Sequence, residues 1–144
     1  MNKLLICALL AATVAAPALA RDDKISVTLQ SVLDMPEAKA KLDPGVRFFL
    51  AGAPAPKVVK KFGEDIGNAK TNAFNKTPEE ACRWAALSAL IKFRDRARRD
   101  GANAVIDIVS YNKHEATTSA TDVECLDGTF VGGIALRGTY ATVK

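Results

Sequence analysis

The chain has 144 residues, of which 49% are hydrophobic, 25% charged and 6% aromatic. That suffices for one domain and its core and is too little for two; it excludes a collagen, a coiled coil, a disulfide-dense miniprotein and wholesale disorder. The net charge of +4 and pI of about 9.1 are mild. Ordinary solubility explains them, and they make no case for nucleic acid as a partner.

Residues 1–20 carry one charge, Lys3, then an apolar run from Leu4 to Ala16, Pro17 and Ala18-Leu19-Ala20. This is the pattern of an export signal with an A-x-A cleavage site. The run falls short of the ~20 apolar residues that span a bilayer. The expected mature chain starts at Arg21 as a single domain, residues 21–144, soluble in the periplasm or secreted. Cys7 follows Leu5 and Ile6, which do not suit a lipidation site, and reads as filler in the discarded segment. No later stretch is long and apolar enough to be a transmembrane segment.

Lys24–Leu29 alternates polar and apolar and reads as a strand. Asp34, Pro36 and Glu37 form a helix-start signature, with Asp34 as N-cap. That short helix ends near Leu42, before the Asp43-Pro44-Gly45 turn. Val46–Leu50 is a second strand and residues 51–56 a loop. Lys57–Asn72 fits a strand better than a helix because Gly63 and Gly67 interrupt it. Asn68–Asn75 is polar, without strong periodicity, and reads as a connection.

Thr77-Pro78-Glu79-Glu80 begins the clearest element, a helix over 78–100 closed by Gly101. Leu87, Leu90, Ile91 and Ala97, beside Cys82, Ala86, Ala89 and Phe93, make a broad buried face. Its small residues, Ala81, Ala85, Ala86 and Ala89, allow close approach to a sheet. Ala102–Val109 is a strand apolar on both faces except at Asp107, so both faces need cover. Ala104, Ile106 and Ile108 are expected under the long helix, and Val105, Val109 and Tyr111 on the far side. Cover for the far side is expected from the N-terminal half, with Phe48, Phe49 and the strand through Val58 and Ile66, in a monomer; a homo-oligomer is the alternative. Asn112–Ala120 is a polar loop. Thr121–Cys125 is a strand, Leu126-Asp127-Gly128 a turn, and Thr129–Val143 a final strand with Phe130, Ile134, Leu136 and Tyr140 on one face. The whole predicts an α+β fold: a curved, mainly antiparallel sheet packed on one long helix, plus a short N-terminal helix.

No catalytic signature emerges. There is no phosphate loop and no G-x-S-x-G elbow. Glu79/Glu80 sit at a helix start and Asp22/Asp23 near a terminus, so neither pair makes an acid–base couple. His114 is the only histidine; with Glu115 and Asp107 it offers at most a weak metal site, and a surface histidine is the simpler reading. No catalytic, cofactor or metal residues are assigned. Lys92, Arg94, Arg96, Arg98 and Arg99 form a basic helix end that is either an interaction surface for an anionic envelope component or a solvated face interleaved with Asp95 and Asp100. Trp84 is either a binding anchor or a half-buried packing residue. Cys82 and Cys125 remain after the signal and favour one disulfide in an exported chain, two buried thiols being the alternative.

From Glu80 to Val143 the chain places Cys82 at the start of an alanine-rich helix, then Gly101-Ala102-Asn103-Ala104-Val105-Ile106, Val123-Glu124-Cys125 and Gly133-Ile134-Ala135-Leu136-Arg137-Gly138. That order resembles the Rcs envelope-stress lipoprotein and, more loosely, the YbjQ-like family, whose members carry a heavy-metal-binding label. The Rcs resemblance implies a Cys82–Cys125 bridge; the YbjQ-like one implies ring assembly. Thr71–Lys76 and Glu79–Trp84 are similar to a pattern in bacterial secreted proteins labelled "excinuclease ATPase subunit". The missing phosphate loop, the missing zinc-finger cysteines and the export signal all speak against that activity. The expected function is an exported periplasmic binding or interaction domain, in envelope homeostasis or stress sensing, with an envelope protein or anionic component as partner. The alternative is a small envelope-polymer hydrolase.

Overall fold

A computed structural model describes residues 23–144. The export signal, its cleavage after Ala20 and Cys7 lie outside the described residues. The elements in chain order are β1 (Asp23–Thr28), α1 (Leu29–Leu33), α2 (Pro36–Lys41), β2 (Arg47–Leu50), β3 (Val58–Asn72), α3 (Pro78–Asp100), β4 (Ala104–Ser110), β5 (Asp122–Asp127) and β6 (Val131–Val143). The fold is α+β, with one long helix against a six-stranded sheet.

The spine is β6. One of its edges pairs with β3 along its whole length, from Asn72↔Val131 to Val58↔Val143. The other edge is shared. β4 pairs with it over residues 136–141, while β5 meets it only at Gly132 and Gly133. β2 extends the sheet beyond β4 as its parallel neighbour, and β1 extends it beyond β5.

Side chains mend the fork where β4 and β5 part along β6. Asn112, just after β4, donates from Nδ2 to the Glu124 carbonyl (2.7 Å), and its Oδ1 accepts the Ala135 amide (2.8 Å). The Tyr111 amide donates to the Ala135 carbonyl at 2.7 Å, and Ser110 Oγ accepts the Glu124 amide at 2.8 Å. Asn103, at the other end of β4, does the same for Val143, donating to its carbonyl (2.9 Å) and accepting its amide (2.8 Å). A carboxamide carries the same donor and acceptor as a peptide unit, so each asparagine extends the ladder by one rung.

α3 spans the range its sequence signals set. Thr77 Oγ1 accepts the Glu80 amide at 3.1 Å, and Gly101 closes the helix with φ 77°, a conformation that glycine adopts without a Cβ penalty. The small residues do let it lie close. A Cβ on Gly132 would stand 3.5 Å from Ala81 Cβ, and one on Gly67 3.2 Å from the Phe93 ring. The main core gathers Leu87, Leu90 and Phe93 of α3 with Val32, Phe48, Val105, Ile108, Leu136 and Tyr140. Cys82 and Cys125 are bonded (S–S 2.00 Å), tying the first turn of α3 to β5.

Several expectations are corrected. Asp34 does not cap α2. It closes the unforeseen helix α1, its backbone amide bonding Gln30 O, and Met35 precedes α2 without a side-chain cap. α1 has only five residues, too short for a periodic signal, and its start is marked by Thr28 alone. Asn68–Asn72 belong to β3 rather than to a connection. β5 continues through Leu126 and Asp127, so the turn lies after it, with the Gly128 amide bonding Val131 O at 3.0 Å. Phe130 therefore precedes β6 and is 68% exposed instead of sharing the buried face.

The facing of β4 also differs. Asp107 has φ 53° and interrupts the pairing between Ile106 and Val109. The bulge reverses the alternation. Val105 and Ile108 therefore enter the main core, while Ala104 and Ile106 lie with Ala141 and Val143 in a second, smaller cluster. Phe49 and Val58, where β2 ends and β3 begins, pack on that smaller cluster; the body of β3 lies in the plane of the sheet, and Phe48 joins the main core.

Candidate functional site

The free side of β2 borders a concavity. It is a groove of about 520 Å³ between β2 and the α1–α2 segment. Leu33, Ala38, Leu42, Val46, Phe48 and Phe49 make it apolar, with Lys39, Asp43 and Arg47 at the edge. A second hollow of about 350 Å³ shares Leu33, Phe48 and Phe49 and continues past Leu29, Leu50 and Ala53 to Thr121. The two form one apolar trough in the size range of ligand clefts.

Local chemistry explains the trough. Phe48 and Phe49 are consecutive in a four-residue strand, so they leave on opposite faces. Phe48 packs into the core while Phe49 stays half-buried. Among the described residues no strand covers the free side of β2. Pro36 starts α2 and the Asp43–Gly45 turn ends the segment, with Asp43 Oδ1 accepting the Gly45 amide at 2.8 Å.

The basic end of α3 anchors one wall. Arg94 donates to the Lys41 carbonyl at the end of α2 and pairs with Asp95, while Arg98 lies 3.5 Å from Asp43. Lys92 donates to the Asn68 carbonyl on β3. Arg96 pairs with Asp100 at 2.9 Å and stands 5.8 Å from the centre of the Tyr140 ring. Arg99 is exposed. Four of the five cations thus work within the chain. Trp84 is half-buried against the main core.

The rim is positive. Asp43 is held by Arg98. Arg47 donates to the Lys144 carbonyl at 3.0 Å and sits 5.6 Å from the centre of the Phe49 ring. Lys39 is exposed and has no ion pair among the described residues.

Other polar clusters are structural. Tyr140 donates to Asp65 Oδ2 at 2.9 Å. Burial raises its pKa above the ordinary tyrosine value, and the bond to Asp65 raises it further. His114 stacks edge-on against Tyr111 at 5.9 Å, and Arg137 covers the Tyr111 ring at 4.6 Å. Asp107, Glu115 and His114 do not converge, and no group of three or more metal-ligating side chains occurs among the described residues.

No sequence motif points to a site on residues 33–50. The available signal was the Phe48-Phe49 pair: adjacent aromatics in a strand force one ring away from the core. No protein-family model matches the chain, and no match appears among curated proteins. Fold and site therefore define a class alone: a disulfide-tied α+β domain with an apolar trough beside an open strand.

Proposed function

We propose that the protein is an exported binding domain and that the trough beside β2 receives its ligand. The observation that carries this is the 520 Å³ apolar groove with a cationic rim. Binding is favoured over hydrolysis because the trough's one carboxylate, Asp43, is committed to Arg98 and to the Gly45 amide, which leaves no second acid–base group beside it. The Cys82–Cys125 bond fits an oxidising compartment. No helix of the described residues is long and apolar enough to cross a membrane. The disulfide supports a periplasmic or secreted setting. The bridge from helix start to β5 is also what resemblance to the Rcs sensor implies, which supports a role in the envelope.

An uncharged apolar dye, N-phenyl-1-naphthylamine, tests the site. Its fluorescence is expected to rise on titration with the oxidised protein, and Leu42→Glu is expected to weaken binding at least tenfold when measured below its own melting transition, which is lowered because Leu42 also packs on the main core. An unchanged affinity in Leu42→Glu would place the site elsewhere.

A further inference from the structure

We infer that the ligand is an extended polypeptide segment that adds a strand to the open edge of β2. This rests on the trough being the binding site and names its ligand class.

The hydrogen bonding of β2 sets the geometry. The Arg47 amide donates to Asn103 O at 3.0 Å and the Ala51 amide to Ile108 O at 2.9 Å, both on the β4 side. Peptide groups alternate in direction along a strand, so the Phe48 N–H and carbonyl face the opposite way, toward the trough. The Leu50 carbonyl, on that same side, is taken by the Ala53 amide at 3.1 Å. Phe48 N–H, Phe48 C=O and Leu50 N–H remain as a short docking ladder.

The contrast with β3 strengthens the case. β3 is a fifteen-residue edge strand, the kind of edge that invites pairing with other chains. Its own chain guards it. Asp65 Oδ1 accepts the Ile66 amide at 2.8 Å, Lys92 covers the Asn68 carbonyl, and Lys76 Nζ covers the Asn72 carbonyl at 2.9 Å. Phe48 has no such side-chain cover among the described residues.

The trough fits the rest of such a ligand. Its two hollows meet at Phe48 and Phe49, so alternate apolar side chains of an added strand enter them while its backbone pairs with β2. Lys39, exposed at the rim, complements a carboxylate on the segment. An aliphatic amphiphile satisfies the apolar lining and the charge but leaves the Phe48 peptide group unmet.

The test uses the oxidised chain from Arg21 to Lys144. The probes are a pool of acetylated hexapeptides, Ser-X-Thr-X-Thr-Glu with X drawn from Val, Leu, Ile and Phe, the same pool N-methylated at the threonines and, separately, at the X residues, and dodecanoate. The unmethylated pool is expected to displace the naphthylamine dye and to slow exchange of the Phe48 and Leu50 amides. At least one methylated pool is expected to bind about tenfold more weakly, the effect of losing one hydrogen bond. Equal affinity for all pools, or displacement by dodecanoate alone, overturns strand addition while leaving the trough as the site. Failure of the dye and every probe to bind overturns both readings.

Discussion

Replacing Asn112 tests the fork in the sheet. Its carboxamide is the one group that meets both the Glu124 carbonyl and the Ala135 amide, at 2.7 and 2.8 Å. Asn112→Ala removes two hydrogen bonds and leaves two partly buried backbone groups unpaired, each costing about 1–3 kcal/mol unless water reaches it. Partial hydration brings the expected loss to about 2–4 kcal/mol, large against a typical total of ~5–15 kcal/mol. Asn112→Asp keeps the acceptor for Ala135 and loses the donor to Glu124, so it should fall between alanine and wild type. Asn103→Ala breaks a matching pair of bonds at Val143, which is itself buried, so a comparable loss of about 2–4 kcal/mol is expected. Urea unfolding of the oxidised proteins at neutral pH measures all three. The reasoning is refuted if either alanine variant lies within about 0.5 kcal/mol of wild type, the ordinary range for surface changes.

The Cys82–Cys125 bond closes a separation of 43 residues, for which chain entropy gives about 4 kcal/mol; the Cys82→Ala/Cys125→Ala protein should show that loss in urea, and a loss below ~1 kcal/mol would contradict it. Gly138→Ala puts a Cβ 2.8 Å from Val105 Cγ1 and 3.2 Å from Ile108 Cγ1, so melting should reveal about 1–3 kcal/mol of overpacking. Tyr140 has its pKa raised above the ordinary 10.0. The folded state then holds that proton more tightly than the unfolded state above about pH 10, so stability is full below that pH and falls as pH rises through it. Urea midpoints between pH 9 and 11 should fall less steeply for Tyr140→Phe than for wild type; parallel slopes would assign the alkaline loss to other groups.

Elements with local signals were legible in the sequence. α3 was bounded by Thr77-Pro78 and Gly101, and β3 was separated from a helix by its glycines, because caps and glycine conformations act over a few residues. The disulfide followed from the two cysteines that lie outside the expected export signal. What escaped was set at a distance. β4 is apolar on both faces, so its pattern cannot say which side meets α3, and the bulge at Asp107 then reverses the alternation midway. The fork depends on Asn112 reaching β5 and β6, partners 12 and 23 residues away. The basic run of α3 was visible, but not that Arg94 and Arg98 hold the wall of the trough. The trough exists because, among the described residues, β2 has no strand neighbour beyond it, a property of strand order that no segment of the sequence encodes.

Chemical-shift mapping of the ¹⁵N-labelled protein with the naphthylamine dye tests the central claim most directly. The account predicts perturbations concentrated on Leu33, Ala38, Leu42 and Val46–Leu50 and extending at most to Leu29, Ala53 and Thr121, with the Phe48 amide among the largest. Perturbations centred on the basic end of α3, Lys92–Arg99, or on the exposed Phe74 and Phe130, with residues 33–50 unmoved, would contradict it.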